Sequence, residues 1–311
     1  MKGLELARQY YETCGRDMLQ AQFSQVLPLL AIGLAGSGSE CYGYDDAISR
    51  DHDFEPAFCI FLPEEDVVDR RTAFQLERAY AKLPKEFMGF KRSPIDPVGG
   101  SRHGVIRMAD FFSAKTGSPD GTLSPEQWFS VPEYALLEAT NGAVFADHYG
   151  QFTAIREKLR YFPEDIRRKK LAGHLLLMTQ AGQYNYNRCI ARGETAAAQL
   201  AVFEFTQSAL HSIYLLNRAY MPYYKWSFRG LKDLPLLSLQ AKPLEHLITT
   251  GNTSEQTKEK AYLIEKICTA VTQEVQQLTG LSSTEPEQQA YALNDTIGDH
   301  ALRNLHILHG V

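Results

Sequence analysis

Four small residues, Gly36, Ser37, Gly38 and Ser39, are the first part of the chain whose composition suits a chemical role. They follow a short apolar run at 29–35, a pattern typical of a buried strand that ends in a tight turn. Glycine lets the backbone come close to a phosphate and expose its N–H groups, and a serine hydroxyl adds a donor to the same oxygens. We therefore expect a phosphate-binding turn here.

Two carboxylates, Asp51 and Asp53, follow this turn after eleven intervening residues, at the head of a second apolar run at 51–62. Alternate residues of a strand point to one face, which would put the two side chains about 7 Å apart along the chain. Such a pair suits Mg²⁺, and two metal ions can clamp the attacking and leaving oxygens of a phosphoryl transfer. The alternative is a glycine-rich turn followed by a solvated acidic loop that also includes Asp45 and Asp46.

The order of apolar strand, Gly-Ser, about a dozen residues and Asp-x-Asp resembles the signature of the DNA polymerase beta-type nucleotidyltransferase superfamily. Within it, the layout is most similar to the aminoglycoside and lincosamide adenylyltransferases, which join a small α/β nucleotidyl domain to a C-terminal helical domain. The resemblance implies that Gly38 and Ser39 hold the triphosphate and that Asp51 and Asp53 hold magnesium. It covers the N-terminal part by motif and the rest by architecture alone.

The rest of the chain is also similar to bacterial proteins that fuse such a domain to a helical domain of unknown function. This resemblance names no acceptor. It is carried by the segments GSECYGYDD (38–46), SRDHDF (49–54), AGQYNYNR (181–188) and PYYKW (222–226).

Two residues depart from the superfamily pattern. His52 stands where an apolar residue is usual, and Pro56 would interrupt the hydrogen bonding of the strand that follows. The superfamily also uses a third carboxylate on a later strand, as metal ligand or general base. Here the strand candidate is 105–112, which contains Asp110. A helix N-cap or a turn acid after the strand is an equal alternative for Asp110.

Two further groups are candidates for contact with a nucleotide or its acceptor. Lys225 and Arg229 lie in an aromatic segment and would stabilise charge on the triphosphate. The alternative is a solvated helix start whose cations lie over packed rings. Gln180, Tyr184 and Arg188 recur at steps of four on one helical face and would line an acceptor pocket, or else form a polar outer face.

Two kinds of architecture must position these residues. Short apolar runs bounded by turn residues predict strands at 29–35, 51–62 and 105–112, and apolar periodicity predicts helices at 3–25 and 69–83.

Beyond about residue 150, helical patterns replace the strand patterns. A helix start is predicted at Pro163, three apolar stripes predict core-facing helices, and a last helix is expected at 291–308. We therefore expect an α+β fold, with a small mixed-sheet nucleotidyltransferase domain at 1–149 and an all-α helical bundle at 150–311. The stripes are Leu171, Leu175, Met178, Gly182, Tyr186 and Cys189; Ala198, Val202, Phe205, Ala209 and Ile213; and Ile264, Cys268, Val271, Val275 and Leu278.

Composition narrows the classes of partner and location. The 311 residues include 32 Lys and Arg against 37 Asp and Glu, a net charge of −5, which argues against a general nucleic-acid binder. Five scattered cysteines without a CxxC pair argue against a disulfide framework and a cysteine zinc site. The most apolar window, 26–36, is too short to cross a bilayer, so we expect a cytoplasmic protein.

The function that combines these expectations is Mg²⁺-dependent transfer of AMP from ATP, or of another nucleotide from its triphosphate, to a hydroxyl of a small molecule or a protein. Asp51 and Asp53 would ligate the metal, Asp110 would act as general base, and the helical half would bind the acceptor. The alternative is a nucleotide-binding regulatory or interaction protein that keeps the fold without turnover.

Overall fold

The computed structural model of the chain describes residues 1–50, 54–92 and 102–311, and its fold is mixed α+β, as predicted. The chain divides into two compact units. The sheet unit comprises Met1–Gln127 and Tyr134–Arg160, and the helical unit comprises Trp128–Glu133 and Tyr161–Val311. The division at 149/150 into a nucleotidyltransferase domain and an acceptor domain stays a prediction.

The strands of the described residues all belong to the sheet unit. They are Ala31–Leu34 (β1), Cys59–Leu62 (β2), Glu86–Phe87 (β3), Phe90–Lys91 (β4), Gly104–Arg107 (β5) and Ala143–Asp147 (β6). Four of them form one sheet in the order β5-β2-β1-β6, and β3 and β4 form a separate hairpin. β1 is antiparallel to β2 and β6, whereas β2 and β5 are parallel. The central strands β1 and β2 are buried along their whole lengths.

The α-helices of the first 160 residues are Gly3–Tyr10 (α1), Arg16–Phe23 (α2), Ser39–Tyr42 (α3), Arg70–Ala81 (α4), Met108–Thr116 (α5), Pro125–Ser130 (α6), Glu133–Thr140 (α7) and Gln151–Lys158 (α8). Apolar periodicity predicted α1, α2 and α4 among them. The π-helical turn Tyr11–Gly15 joins α1 to α2, so the predicted N-terminal helix is present. Tyr10 and Tyr11 contact the ring of Phe58, and α1, α2 and α4 share one apolar core with the sheet.

The second predicted strand is shorter than expected. β2 begins at Cys59, and residues 54–58 are not part of a strand. Pro56 explains the late start, because proline cannot donate to a strand ladder. The described residues therefore give no support to the placement of Asp51 and Asp53 on one strand face, and both carboxylates lie outside the described residues.

The third predicted strand, 105–112, is strand only in its first part. β5 ends at Arg107 and α5 begins at Met108. Met108, Phe111 and Phe112 are buried, and this i, i+3, i+4 spacing is helical. The prediction was wrong here because a strand and the buried face of a helix give similar apolar runs when they follow each other directly.

The helical unit contains the remaining α-helices. They are Glu164–Met178 (α9), Asn187–Ala191 (α10), Thr195–Leu216 (α11), Tyr224–Leu231 (α12), Ala241–Thr249 (α13), Ser254–Thr279 (α14), Pro286–Asp295 (α15) and His300–Asn304 (α16). A π-helical segment, Thr179–Tyr186, continues α9. The three predicted stripes face the core, except that Cys189 is half-buried and Leu278 is exposed. None of the helices in the described ranges has the length and hydropathy that a membrane crossing requires.

The prediction of one last helix at 291–308 is wrong, because this part of the chain forms several short helices. α15 ends at Asp295, α16 follows, and the end of the chain is the 3₁₀ helix Ile307–Gly310. The N–H groups of Gly298 and Asp299 donate to the carboxylate of Asp165 at 3.1 and 2.8 Å. These tertiary hydrogen bonds replace the intrahelical bonds that a continuous helix would have made.

The densest basic run of the sequence, 167–170, has a structural role. Each of its four side chains donates to a backbone carbonyl of the same unit, at 2.6–3.2 Å. Buried cations are tolerated when such bonds replace water. The run thereby joins α9 to the C-terminal ends of other helices. The acceptors, in the order of the donors, are Leu215, Thr296, Leu305 and Gly310.

We expect Gly182→Ala to lower the free energy of unfolding of the helical unit by about 1–3 kcal/mol, because added volume in a dense core displaces its neighbours. A Cβ at Gly182 would lie 2.9 Å from Ile264 Cγ2 and closer still to the ring of Phe205. Both tryptophans lie in this unit, so urea unfolding followed by tryptophan fluorescence reports on it. The exposed neighbour variant Asn185→Ala is the control and should change the value by less than about 0.5 kcal/mol. Equal stability of Gly182→Ala and the wild type would contradict the close packing.

Candidate functional site

The glycine turn, Gly36 to Ser39, connects β1 to α3 and has a backbone that only glycine adopts readily. Gly36 has a φ of +115° and Gly38 a φ of +121°. Gly36 is buried, whereas the side chain of Ser37 is exposed and Ser39 is half-buried. The turn therefore begins at a buried residue and presents backbone and hydroxyl groups at the surface beyond it.

The side chain of Asn141 fixes the base of the glycine turn. Gly36 N–H donates to Asn141 Oδ1 at 2.9 Å, and Asn141 Nδ2 donates to the Gly36 carbonyl at 2.9 Å. The next residue, Gly142, donates its N–H to the Cys41 carbonyl at 3.0 Å. A Cβ at Gly142 would lie only 2.9 Å from Ala35 Cα, so glycine is required for this approach. The Asn-Gly pair before β6 thus holds both sides of the turn.

Two cationic side chains flank the glycine turn. Arg102 donates to the Ser37 carbonyl at 2.7 Å and to the Glu40 carboxylate at 2.6 Å, and a Cβ at Gly38 would overlap its guanidinium. Lys115 lies against Gly36 and donates to the Glu138 carboxylate at 2.5 Å. Arginine and lysine beside exposed backbone donors form an environment that suits a phosphate group.

Three titratable groups near the turn, Tyr42, Cys41 and Cys59, are held neutral by burial. The Tyr42 hydroxyl donates to the Glu138 carboxylate at 2.9 Å. Burial, and to a smaller extent the charge of Glu138, raises the pKa of Tyr42 far above its usual value of 10.0. Burial also raises the pKa of Cys41 and raises that of Cys59 to about 12. Neither thiol is therefore a nucleophile at neutral pH.

The strand register brings several segments to one end of the sheet, which we call the turn end. β1 runs into the glycine turn, and the antiparallel pair Gly33–Cys59 puts the start of β2 beside the end of β1. β5 is parallel to β2, with Gly104 paired to Cys59, so β5 also begins at the turn end. The segment that carries Asp51 and Asp53 leads into β2 at this end, although the two carboxylates lie outside the described residues.

A histidine and a carboxylate that no motif marked also lie near the turn end. His103 directly precedes β5, and its Nδ1 lies 3.0 Å from Glu55 Oε1. Both side chains are mostly buried. A carboxylate that holds one ring nitrogen orients the other nitrogen for proton transfer.

Asp110 is not placed with the glycine turn, which corrects the prediction of a third carboxylate there. β5 runs away from the turn end, and Asp110 follows its far end, exposed in the first turn of α5. It lines an open cavity of about 300 Å³ with Glu77 and Arg107, and none of the turn residues lines this cavity. Asp110 lies at a helix start, as the alternative predicted, but the N-cap residue is Arg107 and not Asp110.

Lys225 and Arg229, the cations predicted to reach a triphosphate, belong to the helical unit. Both lie over the ring of Trp226. Lys225 Nζ is 5.2 Å and Arg229 Cζ is 5.6 Å from the centroid of that ring. This is the arrangement of a helix start with cations over aromatic rings. A role with nucleotide stays a prediction.

The predicted acceptor residues Gln180, Tyr184 and Arg188 are all exposed on the helical unit. The Arg188 guanidinium contacts the Tyr184 hydroxyl and lies 4.6 Å from the centroid of its ring. Gln183 beside them donates to Glu265 at 2.7 Å. These contacts describe a polar outer face, and a role in acceptor binding stays a prediction.

The helical unit contains one group of side chains that could hold a metal ion and that the sequence did not mark. Glu133, His174 and His211 each offer a ligand atom, and these atoms lie within 4.8 Å of one another. The three residues come from the start of α7, the middle of α9 and the end of α11. No local spacing could reveal a cluster whose members are far apart in the chain.

We expect Asn141→Ala to lower the free energy of unfolding of the sheet unit by about 1–3 kcal/mol, because it leaves the buried polar groups of Gly36 without partners. Urea unfolding followed by far-UV circular dichroism measures the change, while tryptophan fluorescence follows the helical unit separately. Ser37→Ala, at an exposed position of the same turn, is the control and should stay within about 0.5 kcal/mol of the wild type. If Asn141→Ala is as stable as that control, the hydrogen bonds between Asn141 and Gly36 do not stabilise the sheet unit.

The comparisons with known proteins concern part of the chain. Residues 128–227 match the family described as "Domain of unknown function (DUF4037)". No curated protein and no solved structure matches the chain. The matched segment contains Glu133, His174 and His211, and the glycine turn lies outside it. In this segment the chain is similar to a family whose function is unknown.

Proposed function

We propose that the chain is a nucleotidyltransferase of the DNA polymerase beta type, with the glycine turn as its triphosphate site. The observation that carries the proposal is the convergence at the turn end of the sheet. A turn with two glycines at positive φ is clamped by Asn141, and the chain that follows the Asp-x-Asp motif enters β2 beside it. The backbone donors of the turn would bind the phosphates of a nucleotide, and the carboxylates of the Asp-x-Asp motif would bind its cation.

In the proposed reaction, a hydroxyl oxygen of the acceptor bonds to the α-phosphorus of a nucleoside triphosphate. The bond from this phosphorus to the oxygen bridging to the β-phosphate breaks, and pyrophosphate leaves with the electron pair. The hydroxyl proton passes to a base on the protein. ATP is the donor that the resemblance favours, and the acceptor is a small molecule or a protein hydroxyl.

The residues of the chain would divide this work between binding and proton transfer. The glycine turn would bind phosphate oxygens through backbone N–H groups, and Arg102 and Lys115 would exchange their carboxylate partners for the triphosphate. Asp51 and Asp53 would hold Mg²⁺, which when bound offsets charge on the phosphate oxygens.

His103 is the residue best placed to accept the proton. The structure puts it at the start of β5, at the turn end, with Glu55 holding its Nδ1. Asp110 lies beyond the opposite end of β5 and is not proposed for this role.

A second function, nucleotide binding without turnover, has one observation in its favour. The superfamily pattern requires a third carboxylate on a later strand, and the candidate for it, Asp110, lies on α5 instead. A chain that keeps the triphosphate site without that carboxylate would bind a nucleotide as a signal. Release of pyrophosphate distinguishes the two functions.

We expect Mg²⁺ with one of the four ribonucleoside triphosphates to raise the melting temperature of the wild type, and Asp51→Asn/Asp53→Asn to abolish the rise. Binding to the folded state alone stabilises it, by about 2.7 kcal/mol at a ligand concentration of 100 Kd. The measurement is a thermal-shift series with each triphosphate, with and without Mg²⁺.

The matched control is Glu64→Gln/Asp66→Asn, which removes the same charge from exposed positions of the sheet unit and should keep the rise. A rise that persists in Asp51→Asn/Asp53→Asn would contradict the metal role. No rise with any triphosphate in the wild type would contradict the triphosphate site.

A further inference from the structure

We propose that Glu133, His174 and His211 bind one divalent ion of the zinc class in the helical unit. None of these residues is part of the proposed nucleotide site, and all three belong to the other unit of the chain. Two imidazoles and one carboxylate are a ligand set that Zn²⁺ accepts readily, whereas Mg²⁺ prefers oxygen ligands alone.

The donor atoms already converge. His211 Nδ1 lies 2.9 Å from Glu133 Oε1, and the ring of His174 lies parallel to that of His211 with centroids 4.5 Å apart. Ligands of a tetrahedral zinc ion are about 3.3 Å from one another, given metal–ligand distances of about 2.0–2.1 Å. The spread of up to 4.8 Å among the three atoms is close enough for small side-chain rotations to complete the set.

His174 provides a second, independent observation. The residue is only 7% exposed, and within the described residues its Nδ1 has no hydrogen-bond partner. A buried nitrogen without a partner costs free energy, so native structures rarely keep one without a reason. Burial also lowers the pKa of His174 well below 6.5.

A backbone hydrogen bond holds the carboxylate of Glu133, and the neighbouring cation has other partners. Glu133 Oε2 accepts the N–H of Met221 at 2.9 Å, which fixes the carboxylate in place. Lys170, one turn before His174, has partners of its own, since its ammonium donates to the Gly310 carbonyl and lies over the ring of Phe162.

The side chain of His211 is 24% exposed, so solvent reaches one side of the site. Three protein ligands with one position open to water is the composition of catalytic zinc centres, whereas structural zinc sites have four protein ligands. We therefore assign the site an exchangeable fourth position.

The test is metal binding to the full-length chain, without a histidine tag and after treatment with a chelator. Zn²⁺ is titrated by calorimetry, and Co²⁺ is titrated with its visible absorption as the readout for nitrogen and oxygen ligation. We expect one ion per chain. We expect His174→Leu and His211→Asn to weaken binding by more than the roughly 10- to 100-fold that loss of an outer-shell partner costs.

The variants separate a lost ligand from a lost fold. His211→Asn keeps a donor for Glu133, and His174→Leu removes a buried polar atom that has no partner, so without metal both should melt close to the wild type. His300→Asn, at an exposed position of the same unit, should bind like the wild type, and so should Asp51→Asn/Asp53→Asn. Absence of binding to the wild type, or binding that His174→Leu and His211→Asn leave unchanged, would overturn the proposal.

Discussion

The two hydrogen bonds between the Asn141 side chain and the Gly36 backbone are the interaction on which the candidate site depends. They join residues 105 positions apart and satisfy both backbone groups of a buried glycine. Asn141 can reach Gly36 only because β6 pairs with β1, and Gly142 can approach β1 closely only because it has no side chain. The sheet, the Asn-Gly turn and the glycine turn therefore form one structural unit, in which the pairing of strands determines where the backbone of the glycine turn lies.

Strand direction then decides which residues share the turn end. Antiparallel pairing of β1 with β2, and parallel pairing of β2 with β5, bring Arg102 to the glycine turn, put His103 at the turn end and send Asp110 to the opposite end. The same register that forms the turn end thus places Asp110, the expected third carboxylate, away from it. A proton acceptor would have to come from the turn end itself, where the pair His103–Glu55 lies.

Features that depend on local periodicity could be predicted from the sequence, and features that depend on tertiary pairing could not. The N-terminal helix, α4 and the buried stripes of the helical unit follow from helical spacing, and the glycine turn follows from its composition. β6 was missed although Asn-Gly precedes it, and the break at Gly298 depends on Asp165, which is far away in the chain. The partners of the turn and the cluster at His174 have no sequence motif, because each joins residues from separate elements.

The most direct test of the central claim is the backbone signal of Gly36 while Mg²⁺ and ATP are added. The sequence contains three Ala-Gly pairs, ending at Gly36, Gly173 and Gly182, so [1-¹³C]Ala and [¹⁵N]Gly labelling selects three amide signals in a carbonyl-filtered NMR spectrum. Gly173 and Gly182 belong to the helical unit and are internal controls. We predict that the Gly36 signal shifts with saturation while the two control signals stay in place. A Gly36 signal that does not move at millimolar Mg²⁺ and ATP would contradict a triphosphate site at the glycine turn.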